Sequence, residues 1–163
     1  MTNDIFLSPH FKLSEFVVSE TASRHGIDNT PPEEAVENLR RLCQGTLEPL
    51  REALQLPVVI TSGYRTKALN DRLAHSSERS QHMQGCAADF YVSCAGREML
   101  IKAFRLIITS PEIDYDQLIL YPNFIHVSYV SKERNRHNIL KARSNGKLGY
   151  GKLSYANAIL LNY

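Results

Sequence analysis

The sequence lacks most features that mark secreted, disulfide-bonded and membrane-spanning proteins. Its three cysteines, Cys43, Cys86 and Cys94, form no CxxC pair, so the sequence predicts neither a disulfide framework nor a cysteine-ligated zinc site. No apolar run is long enough to cross a bilayer, and the N-terminal residues contain neither the basic nor the apolar stretch of a signal peptide. We therefore expect a protein without a membrane span that is made in the cytoplasm without a signal peptide.

The sequence also has no internal repeat and no linker-like segment, so we expect residues 1–163 to form a single domain. Its apolar fraction of 43% and charged fraction of 22% are ordinary for a globular protein. The charge is uneven, because residues 131–163 carry seven Lys or Arg and one Glu. This basic C-terminal extension of the domain is either a solvated tail or a contact for an anionic polymer such as a cell wall or nucleic acid. It has no recognised nucleic-acid-binding motif, so we expect no nucleic-acid partner. We also expect the protein to be a monomer.

One long helical pattern occupies the first third of the chain. Its start is indicated by the segment 30–33, where Thr30 can cap the helix and Glu33 can complete a capping box. Apolar residues then recur at helical spacing as far as Leu54. Pro49 lies inside this pattern and should kink the helix, because its ring clashes with the carbonyl of Gly45.

The rest of the chain alternates between short strands and helices. Helical patterns occur at 67–73 and 97–108, and strand patterns occur at 57–61, 86–92, 117–120, 124–129 and 138–142. The strands at 117–120 and 124–129 are close enough to form a hairpin. The sequence therefore predicts an α+β fold with a central antiparallel sheet packed with helices.

Two segments carry residues suited to metal binding. The sequence SQHMQGCAADF at 80–90 contains His82 and Asp89, and FIHVSY at 124–129 contains His126. Two imidazoles and one carboxylate are a common ligand set for a catalytic zinc ion. Gly85 would let the chain turn between the first two without steric cost. Isolated histidines are also often structural or exposed, so spacing alone leaves both interpretations open.

Six blocks of the sequence together resemble one family of enzymes. They are LSEF at 13–16, GIDNTP at 26–31, SGYR at 62–65, SQHMQGCAADF at 80–90, DQLI at 116–119 and IHVS at 125–128. Over about residues 11–130 the chain resembles the M15 peptidases. This group contains D-Ala-D-Ala carboxypeptidases and L-Ala-D-Glu endopeptidases and has the Hedgehog/DD-peptidase fold. The chain is most similar to the short phage- and prophage-type members.

The resemblance implies a function and a set of site residues. His82, Asp89 and His126 would be the ligands of Zn²⁺, and Arg65 would hold the substrate and the developing oxyanion. The residues that would support the site or line its cleft are Ser80, Ser128 and Tyr64. The implied activity is that of a zinc-dependent peptidase in which zinc-bound water attacks stem peptides of peptidoglycan. Such an enzyme acts on the cell wall once released, as a prophage endolysin or as a host wall-remodelling carboxypeptidase.

One position departs from the family pattern. Well-studied members have a carboxylate three residues before the last zinc histidine, acting as general base, and here that residue is Asn123. An amide cannot take a proton from water. Asp114 and Asp116 lie upstream, although a carboxylate at the start of a strand is the simpler interpretation of Asp116. The alternative function is therefore a catalytically impaired, zinc-holding module that binds the cell wall or forms part of a phage particle.

Overall fold

The computed structural model describes residues 4–74, 76–93, 96–142 and 150–161, and Cys94 lies outside them. The strands are β1 (Phe6–Ser8), β2 (Phe11–Lys12), β3 (Val58–Ser62), β4 (Ala87–Val92), β5 (Gln117–Leu120), β6 (Ile125–Ser128), β7 (Asn138–Ala142) and β8 (Tyr150–Lys152). The helices are α1 (Leu13–Val17), α2 (Glu20–His25), α3 (Glu33–Leu42), α4 (Glu48–Leu54), α5 (Lys67–Arg72), α6 (Arg97–Thr109) and α7 (Tyr155–Ile159). None of the described helices combines the length and the apolar character that crossing a membrane requires.

Six strands form the main sheet in the order β3-β4-β6-β5-β7-β8, which confirms the predicted α+β class. The sheet is mixed rather than wholly antiparallel, because β5 and β7 run parallel while the other neighbours are antiparallel. After β6 the chain crosses over β5 and adds β7 to the other edge of β5. In this position β7 runs in the same direction as β5. The predicted bounds of β5 and β7 are confirmed.

The two faces of the sheet have different roles. On β4, Ala88, Phe90 and Val92 are buried in the hydrophobic core, and α6 packs against β4 and β5. Asp89 and Tyr91 alternate with these residues and therefore point to the opposite face. Burial of apolar side chains on one face contributes about 25 cal/mol per Å² and fixes the strand register. The polar side chains of the other face are thereby held in defined positions.

The start of α3 differs from the prediction. The helix begins at Glu33 with Pro32 as its N-cap residue, and no side chain caps it. The hydroxyl of Thr30 donates to Asp28 at 2.6 Å instead. The predicted capping box is therefore wrong, because a local turn around Asp28 binds the hydroxyl that the helix would have used.

The predicted kink near Pro49 takes the form of a π-helical turn, Cys43–Leu47, between α3 and α4. Proline has no N–H, so it cannot donate to the carbonyl of Gly45. That carbonyl accepts a hydrogen bond from the backbone N–H of Asp114 at 3.0 Å. The irregular turn thus ties the two helices to the segment that leads into β5.

Candidate metal centre

Strand register brings two of the predicted ligands together. Asp89 on β4 is the direct partner of His126 on β6 in the antiparallel ladder. Directly paired residues have neighbouring side chains on the same face of the sheet. His126 Nδ1 lies 2.8 Å from Asp89 Oδ1. Both side chains lie on the face opposite the hydrophobic core, where a cleft is open to them.

The third predicted ligand, His82, enters from a 3₁₀ turn at Gln81–Gln84. The residue is 3% exposed, and its Nδ1 donates to the carbonyl of Gly63 at 2.7 Å. The carbonyl of His82 in turn accepts from the backbone N–H of Arg65 at 3.1 Å. Because a carbonyl only accepts, Nδ1 carries the proton and the lone pair of Nε2 points toward Asp89. The hydrogen bond to Gly63 fixes both the tautomer and the ring orientation, and the one from Arg65 holds the backbone of the turn.

Two glycines allow this arrangement. Gly85 ends the 3₁₀ turn with φ of +72°, and a Cβ there would collide with the backbone of Ala35. Gly63 lies so close to Phe16 that a Cβ would come within 2.7 Å of the Phe16 Cβ. Both positions therefore exclude side chains on steric grounds. The close approaches hold the His82 turn and its hydrogen-bond acceptor against the helical layer.

The three side chains fit a metal ion in geometry and in chemistry. Their ligand atoms are His82 Nε2, Asp89 Oδ1 and His126 Nδ1, which lie within 4.8 Å of one another. His82 Nε2 is 3.3 Å from both other atoms. Ligand atoms of a tetrahedral zinc ion, each roughly 2.0–2.2 Å from the metal, are roughly 3.3–3.6 Å apart. The two distances from His82 match this separation, whereas Asp89 Oδ1 and His126 Nδ1, at 2.8 Å, are at hydrogen-bond distance and would separate by roughly 0.5 Å to hold the ion. Two imidazoles and a carboxylate also leave a fourth position open, as in catalytic zinc sites.

The protonation states also suit a metal. Burial lowers the pKa of His82 because it disfavours the charged imidazolium. Burial alone would raise the pKa of Asp89, but the charges and hydrogen bonds of His82 and His126 outweigh burial and lower it. A neutral imidazole and an ionised carboxylate are the forms that bind metal ions.

Arg65 lies beside this group. Its guanidinium Nη2 is 3.4 Å from Asp89 Oδ2, the oxygen that faces away from the histidines. Two further hydrogen bonds, of 3.1 and 2.9 Å, join it to the Ser62 hydroxyl. Burial lowers the pKa of Arg65, and the charge of Asp89 opposes this shift. An arginine remains charged at neutral pH, so the site has a fixed cation at its edge.

The other predicted residues occupy three different environments. Ser80 lines the cleft, which has a volume of about 1000 Å³. Ser128 is fully buried, and its hydroxyl donates to Asp116 at 3.2 Å. Tyr64 is 7% exposed and packs in the hydrophobic core rather than among the described residues that line the cleft.

Asp116 forms a hydrogen-bond network that we did not predict from the sequence. Its carboxylate is 1% exposed and accepts from Gln81 Nε2 at 2.9 Å, from Ser128 and from Arg136. Arg136 binds it with its backbone N–H at 2.9 Å and with two guanidinium nitrogens. The network therefore joins the neighbour of His82 to the end of β6 and to the segment before β7. The DQLI block is part of the family resemblance, but nothing local indicated that Asp116 is buried against a distant arginine.

Asp116 should make stability depend on pH. Burial would raise its pKa, but hydrogen bonds from Arg136 and Gln81 outweigh burial and lower it from 3.8 to about 2. A carboxylate with a lowered pKa in the folded state stabilises above its unfolded pKa, and this stabilisation is lost as the pH falls toward 2. Because Arg136 is 56% exposed, solvent screening leaves a contribution of about 1–2 kcal/mol. We expect the unfolding free energies of wild type and Asp116→Asn, measured with urea, to converge between pH 5 and pH 2. A constant difference over that range would contradict the lowered pKa.

The cleft contains no free carboxylate among the residues that the structure describes. Its lining carboxylates are Asp89, which contacts the histidines, and Asp116, which is paired with Arg136. Asn123 is exposed in the turn between β5 and β6 and is not among the described lining residues. Asp114 is paired with His137 at 2.7 Å. An unpaired general base is therefore not present at any of the positions that the sequence suggested.

Comparison with known proteins agrees with this geometry. The family model described as Peptidase M15 matches residues 9–128, well over half of the chain. The matched range contains His82, Asp89 and His126 and ends before the segment that includes Arg134 and Arg136. No curated protein matches the chain. From the family match, the chain belongs to the M15 peptidases.

Proposed function

We propose that the protein is a zinc-dependent peptidase that hydrolyses stem peptides of peptidoglycan. Family membership supports peptidase activity on peptides of this type. The observation that carries the proposal is the convergence of His82 Nε2, Asp89 Oδ1 and His126 Nδ1 in an open cleft. The phage-type assignment and an action on the cell wall after release are parts of the same proposal.

His82, Asp89 and His126 would hold the zinc ion. When bound, zinc polarises a peptide carbonyl and makes water a nucleophile near neutral pH. The Gly63 carbonyl keeps the His82 ring in place through its 2.7 Å hydrogen bond. This fixed orientation leaves the Nε2 lone pair available without reorganisation.

Arg65 would act on the substrate. Its contact with Asp89 is long at 3.4 Å, whereas its bonds to Ser62 hold the guanidinium in place. It is therefore a fixed cation with donors left over for an oxygen of the substrate. A planar guanidinium can stabilise the negative charge that develops on a carbonyl oxygen, or bind a terminal carboxylate.

A second candidate function is a zinc-holding module that binds the cell wall without cleaving it. The observation in its favour is the paired state of both described cleft carboxylates, together with Asn123. Proton transfer by a positioned base typically contributes a factor of about 10²–10⁴ to the rate. A peptidase without such a group would therefore be slow. The two candidates differ in turnover and not in metal content.

Incubation with defined muropeptides tests the proposal. We expect the zinc-loaded protein to release a product that mass spectrometry identifies, and we expect EDTA to abolish it because the Lewis acid is removed. Loss of a terminal D-Ala identifies a carboxypeptidase. A cut between L-Ala and the acidic residue identifies an endopeptidase.

The control is the EDTA-treated protein to which zinc is returned, which should regain activity. If protein with a confirmed full zinc content releases no product from peptides of any length, the peptidase proposal fails. Binding of the same peptides without cleavage would then support the zinc-holding module.

A further inference from the structure

The cleft beside the metal group has an excess of positive charge. Four arginines line it, Arg65, Arg79, Arg134 and Arg136, and its described lining contains two carboxylates. A concave surface whose lining has an excess of one sign of charge attracts ligands of the opposite sign. The lining is thus suited to an anionic ligand even before any metal ion adds further positive charge.

Two of these arginines are already engaged. Arg65 contacts Asp89 at 3.4 Å, and Arg136 binds the buried Asp116 with two guanidinium nitrogens. The formal charges of each pair sum to zero, although Arg65 keeps donors for an oxygen of the substrate. The excess charge of the cleft therefore comes from Arg79 and Arg134.

Arg79 and Arg134 are exposed, and neither forms an ion pair with any residue that the structure describes. Arg79 follows a turn in which its backbone N–H donates to the Ser77 hydroxyl at 3.1 Å. The turn before Arg134 is closed by a hydrogen bond of 3.1 Å from its own N–H to the Ser131 carbonyl. Their backbones are thus anchored, while their guanidinium groups remain available to a ligand.

The segment 130–136, which carries Arg134, is anchored to the rest of the fold by hydrogen bonds and an ion pair. The amide of Asn135 donates to Asp114 at 2.9 Å and its carbonyl oxygen accepts from the Val130 N–H at 2.9 Å. The Asp116–Arg136 pair anchors the same segment two residues beyond Arg134. This segment lies beyond the family match, so it adds a feature to the cleft that family membership does not describe.

We propose that Arg79 and Arg134 form a carboxylate-binding subsite of the cleft, which selects acidic peptides whose carboxylate lies away from the bond to be cleaved. The inference rests on the proposed peptidase function and adds a substrate preference to it. Arginine suits this role because its planar fork donates two parallel hydrogen bonds to a carboxylate. The metal group and Arg65 then act on the peptide bond that is cleaved, while Arg79 and Arg134 position the substrate.

The test compares two stem peptides that differ only in one internal group, a free carboxylate in one and its carboxamide in the other. We expect wild type to favour the acidic peptide about tenfold to a hundredfold in kcat/KM, the range for a charge-assisted hydrogen bond. Arg79→Gln and Arg134→Gln should each reduce this preference by raising KM for the acidic peptide. Both substitutions should lower kcat/KM less for the amidated peptide than for the acidic one, because a neutral carboxamide accepts weaker hydrogen bonds than a carboxylate does.

Arg24→Gln is the matched control. Arg24 lies on α2 in an exposed ion pair with Glu20, outside the cleft lining, and its loss removes the same charge. The preference for the acidic peptide should persist in this variant. If Arg24→Gln lowers the preference as much as the cleft variants do, bulk charge explains the effect and the subsite is refuted. An equal fall on both peptides in the cleft variants would also refute it.

A binding measurement separates this inference from the proposed function. If wild type cleaves neither peptide, the peptidase proposal fails, and calorimetry with the uncleaved peptides still tests the subsite. Tighter binding of the acidic peptide, lost in Arg79→Gln and Arg134→Gln, would support it. Equal affinity of wild type for both peptides would overturn it.

Discussion

Asp89→Asn is expected to weaken zinc binding severely and to abolish turnover while the protein remains folded. The substitution keeps the shape of the side chain but removes the negative charge that lies 2.8 Å from His126 Nδ1. A neutral amide is a weaker ligand than a carboxylate, and loss of an outer-sphere partner alone typically lowers metal affinity about 10–100-fold. We therefore expect a loss of more than about a hundredfold in zinc affinity for this direct ligand.

Zinc titration followed by thermal melting measures this effect independently of activity. A ligand that binds only the native state raises stability according to its concentration and affinity. Zinc should therefore raise the Tm of wild type and leave that of Asp89→Asn unchanged. The matched control is Asp71→Asn on α5, which removes an exposed carboxylate paired with Lys67. Stoichiometric zinc retained by Asp89→Asn would show that the metal lies elsewhere.

Gly85→Ala is expected to destabilise the fold more than other single-methyl additions. The residue has φ of +72°, which is strained for alanine, and the added Cβ would lie 3.0 Å from the carbonyl carbon and Cα of Ala35. These atoms belong to the backbone of α3, so they cannot rotate away as a flexible side chain could. We expect a loss of about 3–5 kcal/mol in the free energy of unfolding, in the range seen for overpacking combined with backbone strain.

Gly26→Ala separates the two causes. Gly26 ends α2 with φ of +60°, and no atom lies within 4 Å of the position that a Cβ would take. The free energy of unfolding of Gly26→Ala should fall only by the cost of placing alanine in a left-handed backbone conformation, about 1 kcal/mol. Urea unfolding of both variants measures the difference. Equal losses would mean that the contact with Ala35 contributes nothing.

The metal group was predictable because each ligand lies in a block that resembles the family, whereas spacing alone left the assignment open. His82 and Asp89 lie seven positions apart in one segment, and His126 lies inside a clear strand pattern. The structure brings these three together, although their assignment as zinc ligands stays a prediction until a metal is measured. The single domain, the monomer, the phage-type subgroup and the location also stay predictions.

The error at the start of α3 has a local cause. Thr30 has the right chemistry for a cap, but Asp28 lies two residues away and binds its hydroxyl. Capping and turn formation use the same side chains, so a sequence pattern alone cannot decide between them. The parallel pairing of β5 with β7 was missed because strand patterns do not encode direction.

The ion pair between Asp116 and Arg136 could not be predicted from local sequence patterns. The two residues are twenty positions apart, and a solvated tail was a reasonable interpretation of the basic segment that contains Arg136. Only the folded chain buries Asp116 and therefore requires a cation for it. The same fold leaves Arg79 and Arg134 without acidic partners among the described residues and places them in one cleft.

The sequence by itself determined the strand and helix pattern and the α+β class, because these follow from short-range spacing, and its resemblance to the family supplied the ligand set of the metal group. The requirement for glycine at position 85 comes from the contact with the Ala35 backbone, which only the folded chain contains. The tertiary structure alone decided that Asp89 pairs with His126, that Gly63 orients His82, and that both described cleft carboxylates are engaged. These are contacts between segments far apart in the chain, and they depend on strand register and burial, which no local window of sequence contains.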